Sequence, residues 1–86
     1  MDRETDMRRI RGHKLPKEAY ELEGEELKTY RTGFNDGNES NYFPACGGRL
    51  EAIYDWGYRD GKKYGDRKGK PWTLPELLKL AKAQRS

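Results

Sequence analysis

Two stretches of this 86-residue chain follow one pattern, Tyr-x-x-Gly-aromatic-x-Asp-Gly: Tyr30-Arg31-Thr32-Gly33-Phe34-Asn35-Asp36-Gly37 and Tyr54-Asp55-Trp56-Gly57-Tyr58-Arg59-Asp60-Gly61, 24 residues apart. Five of the eight positions match, so two similar local structures are expected to meet. In each copy the glycines stand four residues apart, which on a helix clears one strip of surface and lets another backbone approach closely. The spacing predicts that Gly33 and Gly37 face Gly57 and Gly61 in an antiparallel pair of helices, with Tyr30, Phe34, Tyr54, Trp56 and Tyr58 along the margins. A glycine inside a helix costs about 1 kcal/mol relative to alanine, so matched glycines argue for a contact that needs them. Gly37 and Gly61 have a second reading, as helix terminators. Asp36 and Asp60 have no accompanying histidine, serine or lysine constellation. They read as solvated or C-terminal-turn residues rather than as catalytic carboxylates.

Around the repeats, apolar residues recur at helical spacing. Pro16 can open a helix, and Ala19, Leu22, Leu27, Tyr30 and Phe34 then share a face, which predicts a first helix over roughly 16–36, or one that begins just after Gly24 with Glu25 and Glu26 in its first turn. Gly37-Asn38-Glu39-Ser40-Asn41, Pro44 and Gly47-Gly48 mark a loop. Leu50, Ile53, Tyr54, Gly57, Tyr58 and Gly61 predict a second helix over 48–64. After a glycine-containing basic linker, Thr73 and Glu76 have capping-box spacing, Trp72 and Leu77 staple spacing, and a third helix is expected over 74–84. The expected fold is all-α: a small helical hairpin of the two Gly/aromatic repeat helices over 16–65, and a basic linker with a short C-terminal helix over 66–86. Residues 1–15, with Met7 and Ile10 as the apolar residues between Met1 and His13, are expected to be a disordered basic arm.

With 33% hydrophobic and 38% charged residues, a chain of this length builds a thin core and encloses no large pocket. No catalytic site, cofactor or metal site is expected, since one histidine, His13, and one cysteine, Cys46, stand far apart in sequence. Cys46 reads as a small half-buried residue beside a turn. There is no apolar run for a membrane span and no secretory signal pattern, so a cytoplasmic location is the default.

Charge is distributed unevenly. Residues 1–17 carry six Lys/Arg and three acids (+3), residues 18–55 three and nine (−6), and residues 56–86 nine and three (+6). Between Trp56 and Trp72 the cations Arg59, Lys62, Lys63, Arg67, Lys68 and Lys70 interleave with aromatics, of which Tyr58, Tyr64 and Trp72 are stacking candidates. Cations for phosphates and planar faces for bases are what single-stranded nucleic acid requires. The structural alternative puts the tyrosines in the core and leaves the lysines as solvating groups. Upstream, Glu21, Glu23, Glu25 and Glu26 form an acidic surface suited to a basic groove on a protein. With so small a core, a second copy of the chain is a further candidate partner.

From Tyr30 to Gly61 the chain resembles the ribosome modulation factor family. That family has an Arg-Gly-Tyr-x-Ala-Gly segment, a loop with Cys-Pro-Tyr, and a Trp-x-x-Gly-Trp-Arg-Glu-Gly segment. Thr32-Gly33-Phe34-Asn35-Asp36-Gly37 is similar to the first and Trp56-Gly57-Tyr58-Arg59-Asp60-Gly61 to the last. Tyr42-Phe43-Pro44-Ala45-Cys46 holds similar loop residues in another order. The resemblance implies two helices joined by a loop, a non-enzymatic role in translation control, and the small ribosomal subunit, near the 3′ end of its RNA, as partner. The acidic run Glu21 to Glu26, the arm and the third helix depart from it. They suit instead a small inhibitor or adaptor, such as a phage protein, that binds a host protein through the acidic first helix or the third helix.

Overall fold

The computed structural model describes residues 7–44, 47–67 and 69–85. Residues 1–6 of the expected arm, Cys46 and Lys68 lie outside them. The elements are strands β1 (Met7–Ile10) and β2 (His13–Pro16), a 3-10 turn (Ala19–Glu21), and helices α1 (Gly24–Asn38), α2 (Gly48–Tyr64) and α3 (Leu74–Arg85). The body is helical, as the sequence pattern requires, and α2 and α3 occupy their expected spans.

Residues 7–16 depart from the expected arm. β1 and β2 pair antiparallel with Ile10 opposite His13, leaving Arg11-Gly12 as a two-residue turn. Both turn residues have positive φ, +51° and +81°, the twist that a tight β-hairpin needs. Ile10 and Leu15 enter the core at 5% and 0% exposure. Two apolar anchors and a tight turn order a stretch whose composition alone does not force a packed element. Pro16 therefore ends a strand rather than opening a helix. α1 begins at Gly24, whose φ of +57° turns the chain out of the extended segment before Glu25 and Glu26 occupy the first turn.

The four repeat glycines do bring α1 and α2 together, but the helices run in the same direction. Glu26 and Arg49, near the two helix starts, pair at 3.0 Å, while Asn38 at the end of α1 lies against Gly65, just past the end of α2. The contact is reciprocal. A Cβ added at Gly33 would strike the Tyr54 carbonyl, and one at Gly57 the carbonyl of Tyr30, the residue equivalent to Tyr54 in the other copy. Gly37 meets the Tyr58 carbonyl and Gly61 that of Phe34 in the same exchange, each closer than 3.0 Å. Glycine Cα–H groups thus point at carbonyl oxygens across the interface, contacts worth about 0.5–1 kcal/mol each.

The same exchange places the repeat's tyrosines and aspartates. Tyr30 donates to Asp60 at 2.7 Å, and Tyr54 donates to Asp36. The aspartates are therefore not idle turn residues; each accepts the hydroxyl of the other copy's tyrosine. Trp56 and Phe34, both 1% exposed, fill the centre of the core, with Tyr30 edge-on to Trp56 at 5.1 Å.

Same-direction helices need a long return. α1 closes with Asn41 N–H on the Asp36 carbonyl and Ser40 N–H on that of Gly37, with Ser40 left-handed at φ +58°, a Schellman ending. Gly37, like Gly61 in α2, thus packs inside its helix rather than terminating it. Two asparagine side chains then fasten the segment after α2. Asn38 bonds both backbone groups of Arg67, and Asn35 both of Trp72, at 3.2 and 2.7 Å. α3 follows, with Glu76 accepting the Thr73 N–H at 3.0 Å as the capping-box spacing predicts.

Gly33→Ala and Gly57→Ala each gain helix propensity but force backbone apart. Both are expected to lose about 2 kcal/mol or more, roughly 10 °C in Tm for a domain of this size. Gly47→Ala is the control: Gly47 has ordinary φ and open space around its Cβ position, and its Tm should stay near wild type. Thermal melts by circular dichroism read all three.

Candidate functional site

The basic-aromatic residues divide between two sides of the helix pair. On one side, Tyr58, Arg59 and Lys62 of α2 border a surface depression completed by Tyr42 of the return loop and Arg11 of the β-hairpin turn, with Asp55 at its base. Helical spacing of three and four puts 55, 58, 59 and 62 on one face. Tyr42 is seated by its ring and its hydroxyl. The ring meets Tyr58 edge-on at 5.0 Å and Tyr54 at 5.6 Å, and the hydroxyl donates to Asp55 Oδ1 at 2.5 Å. Arg11 donates from Nε to the other oxygen of Asp55 and from Nη2 to the Tyr42 hydroxyl at 3.3 Å, with Glu51 3.6 Å away.

Asp55 is 7% exposed, a burial tolerated because both oxygens are bonded and one partner is a cation. Its hydrogen bond is the main reason the Arg11 guanidinium is held even more firmly protonated than usual, with Tyr42 adding to it. The bond to Asp55 also pushes the Tyr42 hydroxyl up. Burial, then Asp36, does the same to Tyr54. None of these groups is tuned toward neutrality, as proton-transfer chemistry would ask. Among the described residues, no group of histidine, cysteine, aspartate and glutamate could hold a metal, and no helix is long and apolar enough to cross a membrane.

On the other side, Arg67 and Trp72 are spent on the fold. The Arg67 guanidinium lies 3.9 Å from the Trp72 ring centre and makes two bonds to Glu76, at 3.0 and 3.1 Å. The Trp72 ring also meets Phe34 edge-on at 5.5 Å. Tyr64 is half-buried in the cleft between α2 and α3, with Lys63 Nζ 5.3 Å from its ring. Lys63 and Lys70 are exposed. Of the sequence-derived set, the structure thus gathers Tyr58, Arg59 and Lys62, and adds Arg11 and Tyr42. Arg11 carried a weak signal, as the first residue of an Arg-Gly turn; Tyr42 carried one as part of the loop segment similar to Cys-Pro-Tyr.

The acidic set sits elsewhere. Glu21, Glu23 and Glu25 are exposed around the start of α1, and Glu26 is engaged by Arg49. Because the helices share a direction, these acids lie at the end of the pair opposite Arg59 and Lys62. Acids at helix starts and lysines at the end of α2 both complement the helix dipoles.

The Thr73 N–H, and then Arg67, lower the Glu76 carboxyl below its usual range. A depressed folded pKa means its contribution to stability is full above the ordinary value of about 4.3 and disappears as pH falls through the lowered folded value. Melts of wild type and Glu76→Gln across a pH series should therefore differ at neutral pH and converge in acid. Comparisons of the chain with models of protein families, with curated proteins and with solved structures find no match.

Proposed function

We propose that this protein is a non-enzymatic RNA-binding module of the ribosome modulation factor type, whose partner is the small ribosomal subunit or another structured RNA. The observation that carries the reading is the depression at the basic end of the helix pair. There, exposed Arg59 and Lys62 stand beside the rings of Tyr42 and Tyr58, away from the acidic start of α1. Phosphates are attracted by the cations, and rings beside them offer planar surface to bases. Lys63 and Lys70 extend the positive field, while Arg67 and Trp72 serve by holding α3. The resemblance over Tyr30 to Gly61 supports the same reading.

A second reading rests on the exposed Glu21, Glu23 and Glu25 at the opposite end: an inhibitor or adaptor that offers an acidic surface to a basic groove on a host protein. The two separate in one experiment. Co-sedimentation with ribosomal subunits and binding to RNA should weaken steeply with salt, with a log–log slope of roughly −2 for three contacts to a single strand. Arg59→Glu, Lys62→Glu and Lys63→Glu together should abolish both. Salt-insensitive or absent RNA binding removes the reading. Capture of a nuclease-resistant protein partner that is lost on charge reversal of Glu21, Glu23 and Glu25 replaces it with the second.

A further inference from the structure

We infer that Phe43, with the adjoining Tyr42, is a stacking platform for an unpaired base, and that Arg11, Arg59 and Lys62 take the phosphates flanking it. This rests on the RNA reading above and adds the residue that distinguishes single strands from duplex. Phe43 is 73% exposed and Tyr42 44%. They are the large hydrophobic side chains left exposed among the described residues.

The exposure of Phe43 does not come from a slack loop. Its N–H donates to the Tyr54 hydroxyl at 2.8 Å, Tyr42 before it is bonded to Asp55, and the loop leaves α1 through two backbone bonds at Ser40 and Asn41. The backbone is held at Phe43 itself and along the path that leads to it from α1, so a base that stacks on the exposed ring orders little of that path further. Tyr42 turns inward to seat on Tyr54 and Tyr58 and stays 44% exposed, which leaves Phe43, at 73%, as the more open of the two rings.

The surrounding chemistry selects the occupant. Arg11 keeps half of its side chain in solvent, 49%, although one edge is engaged by Asp55, and Arg59 and Lys62 are exposed on the same rim. Cations on a rim that Tyr42 helps to form, with the exposed ring of Phe43 following Tyr42 in the chain, suit a polyanion with planar groups. In a duplex the base faces are already covered by stacking, so the platform is of use only to a single strand. An acidic peptide would answer the cations but has no need of the planar face.

The test is fluorescence anisotropy with a labelled, non-self-pairing RNA of ~12 nucleotides and with the same RNA annealed to its complement. Wild type is compared with Phe43→Ala, Phe43→Trp and the double variant Arg59→Glu/Lys62→Glu. Phe43→Ala should bind the single strand roughly tenfold more weakly, with duplex affinity, salt slope and Tm unchanged, and Phe43→Trp should restore the loss. If Phe43→Ala matches wild type on the single strand while the double charge reversal loses binding, the platform is overturned and the RNA reading stands. Equal loss on single strand and duplex also overturns it. If wild type binds neither RNA, both fall. A nuclease-resistant protein partner released by Phe43→Ala would assign the face to a peptide and overturn the proposal as well.

Discussion

Backbone meets backbone where α1 crosses α2, and the rest of the molecule is arranged around that approach. Four glycines remove the side chains that would hold the helices apart, and each presents its Cα to a carbonyl oxygen of the opposite helix. The contact repeats with the two sequence copies exchanged, so the interface resembles that of a two-fold dimer contained in one chain. A pair packed this closely is intolerant of any side chain at the four positions. An 86-residue chain has few kcal/mol of stability to absorb such a change.

Direction follows from that contact, and charge separation follows from direction. In an antiparallel pair the acidic start of α1 would lie beside Lys62 and Lys63 and neutralise them. With both helices running the same way, Glu25 and Glu26 in the first turn of α1 lie at one end and Lys62 and Lys63 in the last turn of α2 at the other. A same-direction pair also obliges the chain to return from the end of α1 to the start of α2, about 22 Å for a helix of fifteen residues. The return loop is the source of Tyr42 and Phe43. Its path along α2 is held by Tyr54, whose hydroxyl serves Asp36 as donor and the Phe43 N–H as acceptor. One tyrosine of the repeat thus links the helix interface to the candidate RNA face. Arg11 adds the β-hairpin to the same face through Asp55.

Much of this was legible in the sequence, because glycine spacing and apolar periodicity report which face of a helix is buried. The spans of α2 and α3, the alternative start of α1 just after Gly24, within a residue of the observed one, and the meeting of Gly33 and Gly37 with Gly57 and Gly61 all follow from period and caps. Periodicity does not say which way a partner helix runs, so the antiparallel expectation had no physical signal to correct it. The roles of Asp36 and Asp60 were hidden for the same reason, since their partners are defined only once direction is known. The β-hairpin over 7–16 was obscured by its composition, with Ile10 and Leu15 as its buried anchors. The contacts by which Arg67 and Trp72 tie α3 to the helix pair were not legible, because a cation stacked on an aromatic has the same composition whether it meets a base or another element of the fold.

The same-direction glycine contact can be read directly from nuclear Overhauser effects at the glycine α-protons of the intact chain. The expected result is cross-peaks from Gly57 to Tyr30 and Phe34 and from Gly61 to Phe34 and Asn38, with the matching set from Gly33 to Tyr54 and Tyr58. Cross-peaks from Gly61 to Tyr30 and from Gly37 to Tyr54, the pattern of helices running in opposite directions, would contradict it.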